Sequence, residues 1–366
     1  MNIAANRSMG KILALTKAGK LSEATAIIKG SLSGSAERDE DRDETVMREA
    51  RRVVPVLPGP NAKRADFQPS KPKPEPARSP VGSGKALRGR YQGKAGSLDY
   101  LLYTPEGAEG PMPVVVMLHG CTQSADDFAL GTGMNALAQE LGFIVVYPEQ
   151  TAAANQQKCW NWFREGDQRR DAGEPFLIAG LTSEIVERHG GDAARVYVAG
   201  LSAGGAAAAI MAAAYPDVFA AAGIHSGLAC GSARDLPGAF AAMQGKGRKR
   251  AASAKDRFVP VITFHGDRDK TVHPSNSAQI HAANEASPQL AGAERKVENG
   301  VSDGGRKFRR VSMVDAQGTS LAEDWTVAGA GHAWSGGSPA GSYTDARGPD
   351  ASREMMRFFL QHRREG

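Results

Sequence analysis

The stretch Arg195-Val-Tyr-Val-Ala-Gly-Leu-Ser-Ala-Gly-Gly205, continued by an alanine-rich run to Ala214, decides the fold. Residues 196–199 predict a buried strand, and residues 204–214 predict a helix directly behind it. The pentapeptide Gly200-Leu-Ser-Ala-Gly204 occupies the turn between them, where glycine at both ends avoids collisions with the strand and the helix. Ser202 in this strand, turn and helix context is typical of a catalytic nucleophile rather than of an ordinary Gly/Ser-rich turn.

Short apolar runs alternate with helical segments from about residue 87 onward. The strands that these runs predict are 98–103, 113–118, 143–147, 195–199, 220–224, 259–264 and 321–327. Helices are predicted over 135–141, over 204–214 and, at the end of the chain, over 352–362. This alternation predicts an α/β fold with a mainly parallel central sheet and helices on both faces.

A serine nucleophile needs a histidine base and an acid that orients it, and after a turn of this kind they follow in the order acid, then histidine. Asp269 lies just after the predicted strand 259–264 and is our candidate acid, because Val272 can anchor the returning loop in the core. Asp267 is the alternative, with a turn-capping role expected for whichever of the two is not the acid. His332, in the Gly-rich loop behind the last strand, is the candidate base.

The tetrahedral intermediate of acyl transfer needs two backbone N–H donors for its oxyanion. One is expected from Ala203, the residue after the nucleophile, and the other from Cys121 in Leu118-His-Gly-Cys121, which follows a buried strand. We call residues 118–121 the oxyanion turn. His119 is expected to support this turn, and Gly120 to let it bend.

Aromatic side chains are the candidates for substrate binding. Trp160 and Trp162 fall in Cys159-Trp-Asn-Trp-Phe163, called here the aromatic loop, and exposed aromatics on a loop suit an apolar or sugar substrate. Burial as loop anchors is the alternative for both. Trp334 and His225 complete the set of candidates, with a structural role as the alternative for His225. A disulfide between Cys121 and Cys159 would tie the aromatic loop to the oxyanion turn.

Composition excludes several classes of protein. Hydrophobic residues make up 41% of the 366, enough for a sizeable core, and no apolar run is long enough to span a membrane. Three cysteines allow at most one disulfide, so the chain is not a disulfide scaffold. The net charge is +5, and we interpret the basic runs Lys246-Gly-Arg-Lys-Arg250 and Arg306-Lys-Phe-Arg-Arg310 as solvated loop faces rather than as a nucleic-acid site.

The chain divides into three predicted regions. Residues 1–50 form a charged N-terminal extension with two short amphipathic helices within 9–33, and this extension is a candidate for contact with a surface or partner. Residues 51–84 are proline-rich and predict an extended, disordered linker. Residues 85–366 form the catalytic domain. Residues 1–30 have no unbroken apolar region before a cleavage site, so no standard secretory signal is expected.

Six blocks of sequence, in order, resemble the polyhydroxybutyrate depolymerase family of esterases over about residues 85–362. The blocks are Leu118-His-Gly-Cys-Thr-Gln123, Gly131-Thr-Gly-Met-Asn135, Tyr147-Pro-Glu-Gln150, Cys159-Trp-Asn-Trp-Phe163, Gly200-Leu-Ser-Ala-Gly-Gly205 and Gly331-His-Ala-Trp334. The resemblance implies an α/β-hydrolase fold, a triad of Ser202, Asp269 and His332, no cofactor or metal, and hydrolysis of short-chain polyhydroxyalkanoate esters. It also implies export, whereas the missing signal favours the cytoplasm.

Two alternatives stay open for the function. Relatives of the family resemble feruloyl and acetylxylan esterases, in which Trp160 and Trp162 would stack on phenolic or sugar rings. The other alternative is a binding module that docks through residues 1–50. Secreted depolymerases usually carry a separate polymer-binding module after the catalytic domain, whereas the extra sequence here is N-terminal. We therefore expect oligomers or amorphous polymer, rather than crystalline polymer, as substrate.

Overall fold

The computed structural model describes residues 84–248, 258–282 and 287–364. The N-terminal extension, with its two predicted helices, and all but the last residue of the predicted linker lie outside the described residues. Within the described part, every helix is too short or too polar to cross a lipid bilayer.

The strands agree with the predicted ones in the centre of the sheet and extend beyond them at both edges. Their bounds are β1 (Lys85–Gly93), β2 (Gly96–Thr104), β3 (Met112–Leu118), β4 (Ile144–Glu149), β5 (Gly191–Leu201), β6 (Ala221–His225), β7 (Val261–Gly266), β8 (Glu294–Val301), β9 (Lys307–Val314) and β10 (Ser320–Val327), with the short pair β11 (Trp334–Ser335) and β12 (Thr344–Asp345).

The helices lie between these strands. They are α1 (Ala125–Thr132), α2 (Met134–Leu141), α3 (Gly173–Arg188), α4 (Ala203–Ala214), α5 (Leu236–Ala241), α6 (Ser275–Ala282) and α7 (Ala351–Phe359). A π-helical turn, Ala242–Lys246, continues α5, and short 3-10 turns occupy Glu165–Gln168 and Pro288–Leu290.

The ten long strands form one sheet in the order β1-β2-β4-β3-β5-β6-β7-β10-β9-β8. In this order, the six central strands β4, β3, β5, β6, β7 and β10 pair in parallel. Strands β1 and β2 at one edge and β9 and β8 at the other pair antiparallel. The mainly parallel α/β sheet predicted from the sequence is therefore confirmed.

Two apolar layers enclose the sheet. Strands β3 and β6 are buried along almost their whole length, because each contributes side chains to the layers on both faces. One layer includes the nonpolar face of α4, and the other packs Met355 and Phe359 of α7 against the sheet. Burial on both faces explains why continuous apolar runs predicted the central strands.

The edge strands β8 and β9 were missed because charged residues interrupt their apolar positions. Every residue of β8 except Gly300 is exposed. Our interpretation of the basic run 306–310 as a loop face was wrong, since β9 begins at Lys307 and Arg310 pairs with Glu298 of β8. Arg310 also lies over the Trp325 ring, 5.2 Å from its centroid, so a basic side chain here covers an apolar one.

The turn from β5 into α4 is packed backbone against backbone. A Cβ on Gly204 would collide with the carbonyl of Leu118, and one on Gly200 would collide with the carbonyl of Gly204. The same contact therefore brings the end of β3 and the start of α4 together. Glycine is needed at both positions because a side chain would not fit, as the sequence predicted.

We predict that Gly204→Ala lowers the free energy of unfolding by at least about 1–3 kcal/mol, because the added methyl group overpacks rigid backbone. Gly166→Ala is the matched control, since a Cβ at Gly166 meets no atom within 4 Å. Urea unfolding of the two variants and the parent chain measures the difference. Equal stability of both variants would contradict the packing described here.

Candidate active site

Ser202 occupies the turn at the carboxyl end of β5 in a strained backbone conformation. Its φ is 57° and its ψ is −117°, a combination that costs an L-residue about 1–3 kcal/mol. Its N–H donates to the carbonyl of His225 at 2.9 Å, and its own carbonyl accepts from the N–H of Ala206 at 2.9 Å. Ser202 is partly exposed, as expected for a nucleophile.

Asp269 and His332 meet at the same edge, although 63 residues separate them in sequence. Nδ1 of His332 donates to Oδ2 of Asp269 at 2.7 Å. The other carboxylate oxygen accepts from the N–H groups of Thr271 and Val272 at 2.9 Å each. With Nδ1–H directed at the carboxylate, neutral His332 carries its lone pair on Nε2.

The environment of Asp269 keeps it ionised. Burial alone would raise its pKa, but hydrogen bonds from His265 and His332 outweigh burial and hold the pKa well below the usual range. Asp267 has a different partner, because its Oδ1 accepts from the N–H of Gly329 at 2.6 Å. Asp267 therefore ties the acid loop to the loop of His332 and is not itself bonded to the histidine.

His225 links the serine turn to the histidine loop. Its carbonyl accepts from Ser202, and its Nε2 accepts from the N–H of Ser335, three residues after His332, at 2.9 Å. Burial and the nearby His265 and His332 lower its pKa well below 6.5, so the ring stays neutral and remains an acceptor. Among the described residues, no hydrogen bond joins the Ser202 hydroxyl to His332, and in unliganded sites this contact often tightens only with substrate.

The amides of Cys121 and Ala203 are available as donors. Neither makes a hydrogen bond within the described part of the chain, and the contact between Gly204 and Leu118 keeps the two turns adjacent. The oxyanion turn is held from below, since Oε1 of Gln123 accepts from the N–H of Gly120 at 2.9 Å. The assignment of Cys121 and Ala203 as the pair of oxyanion donors stays a prediction.

A disulfide and a buried carboxyl group fasten the aromatic loop to the oxyanion turn. Cys121 and Cys159 form the disulfide that the sequence suggested. Glu174, at the start of α3, accepts from the N–H and Nδ2 of Asn161 at 2.7 and 2.6 Å and from Nε2 of Gln150 at 2.5 Å. The N–H of Gln150 in turn donates to Nε2 of His119 at 3.0 Å.

Sequence reasoning missed Gln150, Asn161 and Glu174 as supporting residues. The quoted blocks that end at Gln150 and contain Asn161 were the available signal, whereas nothing near Glu174 marks it. Burial, followed by the charge of Asp167, raises the pKa of Glu174 to about 7, although hydrogen bonds from Asn161 and Gln150 act in the opposite direction. Glu174 is thus connected to the oxyanion turn through Gln150, which donates to Glu174 and to His119.

The candidate substrate-binding residues are buried, contrary to the expected exposure. Trp160 is 0% exposed, with its ring centroid 5.7 Å from that of His119, and Trp162 is 7% exposed. Trp334 is 1% exposed, stacks on His225 at 5.1 Å and donates its indole N–H to Oγ of Ser352. His225 is also 1% exposed. These four side chains support loops of the site rather than lining its surface.

The histidine and carboxylate side chains at this edge contact one another rather than forming a metal site. Among the residues described, no group of three or more His, Cys, Asp or Glu side chains could hold a metal ion. His265 and His332 instead share Asp269, and Nε2 of His265 also contacts the carbonyl of Val272 at 2.9 Å. Independence from a cofactor stays a prediction.

We predict that Glu174 makes the protein less stable as pH rises from about 4.5 to above 7. The carboxyl group of Glu174 binds its proton more tightly in the folded chain than in the unfolded chain. Its contribution to the free energy of unfolding is therefore complete below the pKa of the unfolded chain and is lost as the pH rises through the folded pKa near 7. Glu174→Gln removes this titration, and Glu187→Gln, exposed on the same helix, is the control. Urea unfolding at pH 5 and pH 8 should give a flatter pH dependence for Glu174→Gln alone; equal slopes in all three proteins would contradict the role of Glu174.

Comparison with known proteins identifies the family to which this chain belongs. The sequence model described as esterase PHB depolymerase matches residues 98–312. The chain is 36% identical over 251 residues to poly(3-hydroxyalkanoate) depolymerase C of Paucimonas lemoignei, covering 65% of this chain and 58% of that protein. It is 30% identical over 196 residues to feruloyl esterase B of Thermothelomyces thermophilus, covering 49% of this chain and 66% of that protein.

A third relative and one solved structure agree on the fold. Acetylxylan esterase A of Talaromyces purpureogenus is 28% identical over 213 residues, covering 54% of this chain and 55% of that protein. The chain thus spans roughly 55–66% of the length of these three curated relatives. Acetyl xylan esterase from Aspergillus awamori superposes with a TM-score of 0.59 at 18% identity, over 76% of this chain and 100% of that one. The fold is the α/β-hydrolase fold, and the chain belongs to the PHB depolymerase family of esterases, a family of carboxylic ester hydrolases.

Proposed function

We propose that this chain is a serine carboxylic ester hydrolase that cleaves short-chain polyhydroxyalkanoate esters, such as those of 3-hydroxybutyrate, through an acyl-enzyme. The observation that carries the proposal is the 2.7 Å hydrogen bond between His332 and Asp269 at the sheet edge that also bears Ser202. An acid that stays ionised and a histidine oriented by it are what a serine hydroxyl needs in order to react.

In the first half of the reaction, Oγ of Ser202 attacks the ester carbonyl carbon while Nε2 of His332 takes the hydroxyl proton. The carbonyl oxygen becomes an oxyanion that accepts from the amides of Cys121 and Ala203. When the C–O bond of the ester breaks, His332 gives its proton to the leaving alcohol, and the acyl group remains on Ser202.

In the second half, water attacks the acyl carbon as His332 takes one of its protons. The bond to Oγ of Ser202 then breaks, the proton passes from His332 to that oxygen, and the carboxylic acid leaves. Asp269 stays ionised throughout and stabilises the imidazolium that forms in each half. Each oxyanion donor contributes about 3 kcal/mol to stabilising the transition state.

The choice of substrate rests on the relatives. The depolymerase is 36% identical to this chain, and the feruloyl and acetylxylan esterases are 30% and 28% identical. The residue-level argument for a feruloyl or acetylxylan esterase needed exposed Trp160 and Trp162, and both are buried. That alternative is separated from ours by product analysis on 3-hydroxybutyrate oligomers, methyl ferulate and acetylated xylan, on which we expect the oligomers to be the best substrates.

We predict that Ser202→Ala abolishes hydrolysis of p-nitrophenyl butyrate and leaves the fold intact, as judged by far-UV circular dichroism.

Asp269→Asn should lower kcat on the order of 10⁴-fold, because the amide no longer holds the required tautomer of His332. Asp267→Asn is the matched control and should change kcat less than about tenfold, since its remaining carbonyl oxygen still accepts from Gly329. Retained activity in Ser202→Ala, or a larger loss in Asp267→Asn than in Asp269→Asn, would contradict the assignment.

A further inference from the structure

An open cleft of about 410 Å³ lies beside the loop that follows β6. We call it the arginine cleft, because Arg169, Arg234 and Arg248 line it together with Glu165, Gln168 and the Cys230-Gly231 pair. None of the residues assigned above to the triad or to the oxyanion donors lines this cleft. The positive charge of the cleft is therefore not explained by the triad or by the oxyanion donors.

Hydrogen bonds to the backbone hold the three arginine-bearing segments together. Nε2 of Gln168 donates to the carbonyl of Ala233 at 2.8 Å, which joins the segment of Arg169 to that of Arg234. The N–H of Arg248 donates to the carbonyl of Ser232 at 2.9 Å, which joins the third segment to the same loop. The fold thus holds together the three segments that carry these arginines, while the three side chains themselves are exposed.

The positive charge of the arginine cleft is not neutralised within the described residues. Arg169, Arg234 and Arg248 make no ion pair there, whereas the neighbouring Arg170 is paired with Asp217. Asp235, next to Arg234, is already engaged as the N-cap of α5. Three guanidinium groups therefore face one carboxylate, that of Glu165. Because a guanidinium group binds a carboxylate through two parallel hydrogen bonds, the chemistry of the cleft suits a carboxylate ligand.

The loop that forms one wall of the cleft starts next to the helix that follows Ser202. The loop that forms one wall starts against α4, where a Cβ on Gly227 would lie 2.8 Å from the backbone carbon of Gly205. Cys230 is three residues further on, which is at most about 11 Å of extended chain. A hydroxybutyrate repeat adds four atoms to its chain, against three for an amino acid, and so spans about 4–5 Å. Two or three repeats therefore match the length of this stretch of loop, which runs from α4 to the cleft.

We propose that the arginine cleft binds the free carboxylate at the acid end of a short hydroxyalkanoate oligomer while an ester bond further along the oligomer lies at Ser202. This inference rests on the proposed function and deepens it, since it names an anionic oligomer as the preferred substrate. The fragment that leaves as the alcohol carries the bound carboxylate. The acyl group on Ser202 comes from the hydroxyl-bearing end, and water releases it as described above.

The test compares the 3-hydroxybutyrate tetramer as the free acid with its methyl ester, using the full chain. We expect kcat/KM of the parent chain to favour the free acid by about tenfold at low salt, and high salt to reduce this preference because exposed charges are screened. Arg169→Gln, Arg234→Gln and Arg248→Gln should each bring the ratio of acid to ester toward one. Arg188→Gln is the matched control, because it removes one exposed positive charge from α3, and it should leave the ratio unchanged.

Equal kcat/KM for the two tetramers in the parent chain would overturn the inference. A ratio that falls as much in Arg188→Gln as in the cleft variants would also overturn it, because net charge alone would then explain the preference. p-Nitrophenyl butyrate carries no carboxylate and reports on the ester hydrolase chemistry separately. If the parent chain hydrolyses it but does not distinguish the tetramers, only this inference fails; if it hydrolyses neither, the proposed function fails as well.

Discussion

The strained backbone of Ser202 is the constraint on which the rest of the site depends. A positive φ at a serine persists only where the surroundings leave no alternative. Here β5 ends in a buried sheet, α4 begins two residues after Leu201, and Gly200 and Gly204 bring three backbone segments into contact. The same packing brings the oxyanion turn to the start of α4. One turn therefore determines where the hydroxyl of Ser202 and the amides of Ala203 and Cys121 lie.

Buried histidines at the ends of strands hold the loops around that turn. His119 follows β3 and accepts from Gln150, His225 ends β6 and accepts from Ser335, and His265 in β7 contacts the carbonyl of Val272. Loops at a sheet edge lack hydrogen-bond partners for some of their backbone groups, and each of these imidazoles provides one such partner. Burial lowers the pKa of His119 and His225, so both stay neutral and keep their acceptor nitrogen. The loops of the base, the acid and the oxyanion donors are thus fastened to the sheet itself.

The sequence was sufficient for the central strands, the serine turn and the pairing of Asp269 with His332. Continuous apolar runs predict strands buried on both faces, and chain order predicts that an acid and then a histidine follow the nucleophile. The preference for Asp269 over Asp267 depended on Val272 as an anchor of the returning loop. Strands β8 and β9 were missed because β8 is exposed and mostly polar, and because charged residues interrupt the apolar positions at the start of β9. Exposure was expected for Trp160 and Trp162, but both are buried, because aromatic residues suit both a binding surface and a loop anchor and only burial distinguishes the two. The burial of His225 favours the structural role that was its stated alternative. Glu174 carries no local signal at all, since its role depends on three hydrogen bonds from distant segments.

The central claim is that Ser202 is a nucleophile activated by His332, and covalent labelling tests it most directly. The full chain is treated with a fluorophosphonate that reacts with activated serines, and peptide mass spectrometry locates the adduct. The account predicts one adduct, on Ser202, and labelling slowed by several orders of magnitude in His332→Ala. An adduct on another residue, or equal labelling rates in the two proteins, would contradict it.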